Sequence, residues 1–574
     1  MTQHYLAGFA GNDRNPLPKR LAIALAGLGC LERWSGRRLT LFAQDELPLR
    51  RLTDRSGLVI GHLFDRSGEV VTNDPDLICG SSWPEAIVER YWGSYAAFVE
   101  AKRGLSVLRD PSGGLACYHA VADGWHFYTS LPHLLVDCGV IDLEIDWQMI
   151  GASLVRRSQR PDRTALRGIG EVAPGALLTI EGGAVSSRPI WNPWRHAARA
   201  PVQNEVATLE QVLGSTLAAW GKALKRPLIE ISGGLDSAIV AAGLARGEPG
   251  AALITFAAAP GDPDESEYAR AIARHLDLPL EISDPRIEDV DLAVSLSRDL
   301  PRPNARAFTQ AADVQSLRHA RSIGADAFVS GGGGDDVFCY LRTILPAIDR
   351  LHVDGLRAMV KTASDIAIMN HSTVWDAWSR ITRRLVRTSP TKPRLDRRFI
   401  SRDWIAGGEG EQNRSRRRTK FPGKAEHVEG ILTIHNYLEG HQRSDFAPIL
   451  SPLLSQPIVE CCLAIPTWRW CEDGRNRAVA RRSFANRLPG IVIERRSKGS
   501  FDAFCARLLH VNRSQAQAML MDGALARTGI LDREAIDAAF RNPSPPAASV
   551  SRLLTLVDVE SWATSWASRA RQRF

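Results

Sequence analysis

The sequence predicts an α/β protein in two parts: a sheet-rich N-terminal region, then a doubly wound parallel sheet carrying a helical extension. Three observations lead there. Short strand-like runs broken by turn residues fill positions 1–190. Beyond them strands alternate with helices, which implies parallel strands joined by crossovers. Two strands end in glycine-rich corners, "SGGLDS" (232–237) and "SGGGGDDVF" (330–338).

Taken in order, "LAIALAGLGCL" (21–31) reads as a core helix, being too short and too far into the chain for a secretory signal. The runs "SGLVIGHLFDRSGEVV" (56–71), "GSYAAFVEAKRGLSVLRDPSGG" (93–114), "WHFYTS" (125–130) and "GALLTIEGGAVSS" (175–187) read as an antiparallel-rich sheet. A connector rich in Pro, Trp and Arg, "RPIWNPWRHAARAPVQNE" (188–205), marks the boundary. The predicted organisation is a domain at 1–190, a linker at 191–204 and a second domain at 205–574. The second opens with a helix (205–224), the strand "PLIEIS", a helix (236–246) and the strand "ALITFAA" (252–258). Helices at 264–278 and 309–322 then lead into the strand "DAFVSGGGGDD", and residues 340–574 read as mainly helical. The basic stretch from Arg380 to Lys424 is either a solvated loop or a docking surface for an acidic peptide or protein.

Composition narrows the class. The 574 residues are 44% hydrophobic and 24% charged, as in soluble globular proteins. No run approaches the roughly 20 apolar residues of a membrane span. The excess of 72 Lys and Arg over 64 Asp and Glu is thinly spread and does not point to nucleic acid. Nine cysteines without a C-x-x-C pair read as reduced thiols of a cytoplasmic protein.

In open parallel sheets, ligands bind beyond the carboxyl ends of the strands. At the first corner, glycines admit close backbone approach, and the helix behind offers free N–H groups and a favourable dipole to an anion. A tight turn with a serine cap explains the same residues without a ligand. No G-x-x-x-x-G-K-[ST] loop occurs, and Asp236 stands where such a loop has its lysine, which points to Mg²⁺ between carboxylate and phosphates. The second corner repeats the pattern with Gly331 to Gly334 and Asp335.

"SGGLDS" resembles the pyrophosphate-binding loop of the PP-loop ATP pyrophosphatases, and the second corner resembles the S-G-x-G-x-D element of the asparagine synthetase superfamily. The spacer "PGDPDESEYARAIARHLDLPLEI" (260–282) is similar to that superfamily, and "YWGSYAAFV…LRDPSGGLACYHA" (91–120) to a class II glutaminase. The resemblance implies an N-terminal αββα domain of the N-terminal-nucleophile type and a PP-loop synthetase domain. It implies that ATP is cleaved to AMP and pyrophosphate, that a carboxylate becomes an acyl-adenylate, and that an amine attacks it. Carried over, the nucleotide-binding residues are Ile231, Ser232, Gly233, Gly234, Asp236, Ser237, Phe256, Ser330, Gly331 and Gly332. Asp236 and Asp335 hold Mg²⁺, and Lys498 in "ERRSKGSF" (494–501) contacts the phosphates and stabilises charge during both steps.

Two departures refine this. Glutamine-hydrolysing relatives place a cysteine after the initiator methionine, whereas this chain begins Met1-Thr2-Gln3. Their glutamine-holding N-G-E strand corresponds here to Ile60, Gly61 and His62. The glutaminase domain is therefore expected to be inactive. The third residue of S-G-x-G-x-D, glutamate in asparagine synthetases and tyrosine in β-lactam synthetase, is here Gly332, which leaves space for a bulky substrate.

With "PILSPLLSQPIVECCLAIPTWRW" (448–470) and "DGRNRAVARRSFANRLPGIVIERRSKGSF" (473–501), these features resemble the lasso-peptide cyclase branch. That branch joins the N-terminal amine of a ribosomal core peptide to an internal Asp or Glu side chain. It implies a precursor peptide, a leader peptidase and a leader-binding protein as partners. Competing readings are a small-molecule amide or β-lactam synthetase, a glutamine-hydrolysing asparagine synthetase, an RNA-modifying PP-loop enzyme and a non-catalytic scaffold. His435, Asn436, Glu439 and His441 are expected to handle the peptide, with Glu439 or His441 as proton acceptor. The spacing of His427, His435 and His441 fits no usual metal motif.

Overall fold

The structure is a computed structural model; it describes residues 3–10, 17–53, 56–72, 82–102, 104–156, 160–245, 250–258, 264–304, 306–386, 395–408, 420–496, 499 and 501–571. Twelve strands build the N-terminal part: β1 (Tyr5–Ala10), β2 (Leu31–Ser35), β3 (Leu39–Ala43), β4 (Leu49–Arg51), β5 (Gly57–Asp65), β6 (Tyr91–Ala101), β7 (Gly104–Arg109), β8 (Tyr118–Ala122), β9 (Trp125–Thr129), β10 (Ile169–Glu171), β11 (Ala176–Glu181) and β12 (Ala184–Pro189). They form two antiparallel sheets, ordered β10-β8-β9-β1-β3-β2 and β12-β11-β7-β6-β5-β4.

Period-two alternation explains the stacking. In β5, Leu58 and Ile60 face a core shared with Tyr5, Phe98 and Tyr128, while Val59 and Leu63 face the opposite side. The helices Lys19–Gly27, Pro132–Asp137 and Trp147–Val155 bury leucines and isoleucine on the outer face of the first sheet, and Trp83–Arg90 does so on the second. Helix, sheet, sheet, helix is the resulting order. The first of these helices corrects the reading of 21–31 as a core element. Only Leu21 and Leu25 are buried, and Ile23 is 73% exposed, so it is a surface helix with a narrow apolar stripe.

The second sheet system has five parallel strands: β13 (Pro227–Glu230), β14 (Ala252–Phe256), β15 (Leu280–Ser283), β16 (Ala327–Ser330) and β17 (Ile449–Leu450). Their order is β15-β14-β13-β16-β17. The chain moves outward from β13 to β15, then returns to place β16 on the other side of β13. That reversal opens a crevice at the carboxyl ends of β13 and β16, which is where doubly wound sheets bind ligands.

The two parts share one apolar core. The helix Glu205–Ala223 buries Leu213, Leu217 and Trp220 beside Val59, Leu63 and Trp92. Phe64 and Trp92 stack at 4.4 Å between ring centres, and Trp220 meets Phe64 edge-on at 4.9 Å. On the far side, Leu6 and Phe127 of the first sheet pack into a core with Trp562 and Trp566 of the helix Ala547–Arg571. Both indoles donate to Leu300 O, at 2.9 and 3.1 Å. The connector also packs closely: it holds the short helix Pro193–Ala197, and Trp191 stacks on His196 and donates to Glu460 Oε1 at 3.0 Å.

No helix among the described residues is long and apolar enough to cross a membrane. The eight described cysteines are free thiols, seven of them buried.

Candidate functional site

The first corner begins where β13 ends. Ile231 is buried and donates its N–H to Ile254 O at 2.9 Å, which holds the corner level with β14 and its last residue, Phe256. Gly233 has φ +64, and a Cβ there would lie 2.6 Å from Tyr268 Cβ, so backbone and packing both demand glycine. Ser237, in the first turn of the helix Leu235–Leu244, accepts the Ser232 N–H at 3.2 Å and donates to Gly234 O at 3.3 Å. These contacts shape the corner and aim the helix N-terminus into the crevice.

The second corner is pressed against the first. A Cβ on Gly331 would lie 2.6 Å from Ser237 N, and one on Gly334 would lie 2.5 Å from Asp236 Cβ. Glycine here lets two backbones touch. At Gly332, by contrast, a Cβ would meet only the hydroxyls of Ser330 and Ser451, at 3.1 and 3.4 Å, and the residue is exposed. The Ser330 hydroxyl also accepts the Gly332 N–H at 3.2 Å.

This close approach brings Asp236 and Asp335 together. One guanidinium nitrogen of Arg477, Nη1, lies 2.7 Å from Asp236 Oδ2 and 2.8 Å from Asp335 Oδ1. Arg477 is buried, has φ 53, and lies over the Tyr340 ring at 5.3 Å. Two carboxylate oxygens therefore converge on one point already occupied by positive charge. Hard oxygen donors around a cation position fit Mg²⁺, with Arg477 as its competitor in this state. Among the described residues no group of three or more His, Cys, Asp or Glu gathers around a metal-sized point, so other ligands would come from phosphate and water. Sequence reasoning overlooked Arg477; its signal was the arginine run in "DGRNRAVARRS", which carried no assigned role.

Lys498 lies outside the described residues. Its neighbours are anchored at the first corner. Arg495 donates to Ser232 O at 3.3 Å, forms an ion pair with Glu265 and lies 4.2 Å from the Tyr268 ring centre. Gly499 N–H donates to the same Glu265 at 2.8 Å.

Glu439 is taken up by neighbouring donors, and His441 sits against a carboxylate. Glu439 accepts from Tyr118 Oη at 3.0 and 2.9 Å and from Arg160 at 2.7 Å, joining the synthetase part to the N-terminal sheets. Arg160, Arg109 and Arg302 all pair with Glu171 at 2.6–2.8 Å, so Glu439 is one edge of a charge network between the parts. His435 reaches Ser112 O at 3.2 Å; burial, helped by Arg160 and Arg109, lowers its pKa to about 4. His441 lies beside Asp313 at 3.5 Å, and burial lowers its pKa as well. Of the basic stretch, residues 387–394 and 409–419 lie outside the described residues. Lys424 is not solvated: its ammonium donates to Leu463 O and Ile465 O, and burial brings its pKa down to about 8.

In the N-terminal part, Ile60 is fully buried between the sheets. Gly61 has φ +98, and a Cβ there would lie 2.2 Å from Ser94 O, so strand pairing explains this glycine. His62 meets Trp220 edge-on at 5.4 Å, and burial lowers its pKa to about 4. An apolar side chain and a neutral imidazole thus flank Gly61, at the two positions that the resemblance matches to the N-G-E strand. Thr2 lies outside the described residues.

A family model described as asparagine synthase matches residues 210–566. No curated protein shows significant similarity to the chain. Among solved structures, the allosteric regulatory enzyme of purine biosynthesis is similar at 11% identity and TM-score 0.23, over 49% of this chain and 81% of that one. The glutamine phosphoribosylpyrophosphate amidotransferase from B. subtilis, complexed with ADP and GMP, is similar at 12% identity and TM-score 0.23, over 57% and 90%. Likeness this slight carries no conclusion about fold or activity here.

Proposed function

The chain belongs to the asparagine synthase family, whose members use ATP to make amide bonds, and from that premise we propose that it is an ATP-dependent peptide cyclase. Its reaction joins the N-terminal amine of a ribosomal core peptide to an Asp or Glu side chain of the same peptide, releasing AMP and pyrophosphate. The observation that carries this reading is the convergence of Asp236 and Asp335 at the crevice between two glycine-backed corners. Ile60 and His62, where the resemblance expects the asparagine and glutamate that hold glutamine, support an amine supplied by the substrate. The same residues argue against a glutamine-hydrolysing asparagine synthetase.

The backbone N–H groups of Gly233 and Gly234 and the helix behind them receive the β- and γ-phosphates. When bound between Asp236 and Asp335, Mg²⁺ neutralises phosphate charge. Arg477 and Arg495 hold positive charge on either side of the first corner. The substrate carboxylate attacks the α-phosphorus, pyrophosphate leaves, and an acyl-adenylate remains. The neutral α-amine then attacks the acyl carbon, AMP departs with the C–O bond electrons, and the proton shed by the nitrogen passes to the AMP phosphate or to water. Holding both ends of one peptide makes that attack effectively unimolecular, and closing the site against water protects the adenylate. An α-amine with a pKa near roughly 8 needs little help to become neutral, so Gly332 at the base position is no obstacle. Lys498 is assigned to charge stabilisation in both steps. A leader peptidase and a leader-binding protein are the proposed partners, in the cytoplasm, without membrane or nucleic acid.

The test is to incubate the purified chain with Mg-ATP, precursor peptide, leader peptidase and leader-binding protein, with Asp236→Ala as control. A core peptide lighter by one water, formed together with AMP, is the expected result. AMP without dehydrated peptide moves the assignment to a small-molecule amide or β-lactam substrate. A folded, ATP-binding protein that makes neither product overturns the catalytic reading.

A further inference from the structure

Beside Arg477 lies a cleft of about 200 Å³ whose lining includes none of the corner residues 231–237 and 330–335. It is lined by five arginines, Arg342, Arg475, Arg481, Arg495 and Arg496, against one carboxylate, Glu494. Glu494 pairs with Arg475, and Arg495 pairs with Glu265 from outside the cleft. The lining therefore keeps an excess of about three positive charges after both pairs are counted. Arg481 is buried and ties the walls together, donating to Asn476 O at 2.8 Å and to Arg495 O at 2.9 Å. Arg342 and Arg496 are exposed; Arg342 lies 5.1 Å from the Tyr340 ring centre, and Glu494 attracts Arg496 while its direct ion pair is with Arg475.

Backbone conformation marks the same place. Of eight described non-glycine residues with positive φ, four flank this cleft: Cys339, His371, Asp473 and Arg477. Such strained residues gather where a surface is held in a set shape. Arg495 belongs to both sites, since it lines the cleft and donates to Ser232 O in the first corner. An anion moving off the first corner thus meets, through Arg495, a pocket of opposite charge.

We propose that this cleft is a second phosphate site, which takes inorganic pyrophosphate as it leaves the nucleotide corner. The inference rests on the adenylation reading, because that step makes pyrophosphate there. A multiply charged small anion matches both the volume and the charge excess, whereas one peptide carboxylate leaves most of the arginines unanswered. Moving the leaving group out of line with the acyl-adenylate slows the reverse reaction while the amine attacks.

The experiment is a calorimetric titration of the full chain with inorganic pyrophosphate and Mg²⁺, at fixed ionic strength, with sulfate as the control anion. The variants are Arg342→Gln combined with Arg496→Gln, Arg342→Lys combined with Arg496→Lys, and Asp335→Asn. Both arginines are exposed, so the glutamine pair is expected to fold, and a thermal melt checks it. Two pyrophosphate sites are expected in the parent chain. The glutamine pair weakens one of them at least tenfold and leaves ATP affinity within twofold, the lysine pair restores it, and Asp335→Asn spares it. A single site that ignores both arginines overturns the proposal. So does joint loss of ATP and pyrophosphate binding in the glutamine pair, or equal binding of sulfate. If no substrate yields AMP while one site still follows Arg342 and Arg496, the adenylation reading fails and the anion site stands. AMP formation with arginine-insensitive pyrophosphate binding is the reverse outcome, and it removes only the cleft.

Discussion

The middle of β5 and the paired corners after β13 and β16 use glycine in the same way and differ in what stands beside it. Gly61 and Gly331 each let one backbone approach another more closely than a Cβ allows. Next to Gly61, Ile60 turns into an apolar core and His62 meets the Trp220 ring edge-on. Next to Gly331 and Gly334, Asp236 and Asp335 turn toward one shared point and hold a guanidinium there. Replacing polar pocket residues by apolar ones gains burial, of about 25 cal/mol per Å². Two carboxylates side by side gain nothing for the fold without a cation. In the first region the fold surrounds the side chains with apolar neighbours; in the second it sets two carboxylates around a cation position that Arg477 fills.

The largest effect that tests this contrast is at the carboxylates. Asp335→Asn is expected to lower AMP formation about 10²–10³-fold, with an unchanged circular dichroism spectrum. Ordinary turnover in that variant breaks the comparison. The mirror experiment is Ile60→Asn with His62→Glu, which reinstates the polar pair. It is expected to cost about 2–5 kcal/mol in denaturant unfolding, because Ile60 is fully buried. It is also expected to yield no glutaminase activity, measured as glutamate released from glutamine.

Glycine replacement sharpens the point within one loop. Gly331→Ala forces a Cβ to 2.6 Å from backbone and is expected to cost about 1–3 kcal/mol of stability together with most ATP turnover. Gly332→Ala meets only hydroxyls and is expected to stay within about 0.5 kcal/mol of the parent chain. Equal tolerance at both positions would show that the corners do not touch.

The smallest effect concerns pH. The imidazole of His62 has its pKa lowered from 6.5 to about 4 by burial. Between those values the unfolded chain binds a proton that the native chain does not, so stability falls as pH falls through that window. His62→Gln is expected to remove about 1–2 kcal/mol of the loss between pH 6.5 and pH 4, read from melting curves. An unchanged slope assigns the acid sensitivity to other buried histidines such as His435, whose pKa is also lowered to about 4.

Features that depend on near neighbours were legible beforehand. A strand running into glycines and then a helix announces its corner within ten residues, because the demand for positive φ and a free helix N-terminus is local. Both corners, the strands β13 and β14 and the helix behind the first corner were readable on that basis. Strand β17 was not: with two residues it has no alternation, and only its pairing with Phe328 and Val329 makes it a strand. Lys424 reads as one more basic surface residue, yet the fold buries it.

The sequence by itself determined the local features: two glycine-rich corners at strand ends, the carboxylates Asp236 and Asp335 beside them, and Ile60 and His62 flanking Gly61, all written in short contiguous runs. Tertiary structure alone decided which distant side chains complete or close those sites. Arg477 reaches Asp236 across 241 positions of chain, and Tyr118 reaches Glu439 across 321. No local propensity encodes such pairs. They follow from the order of strands in the parallel sheet and from the apolar core that Trp220 shares between the two parts, which together set where each charge arrives.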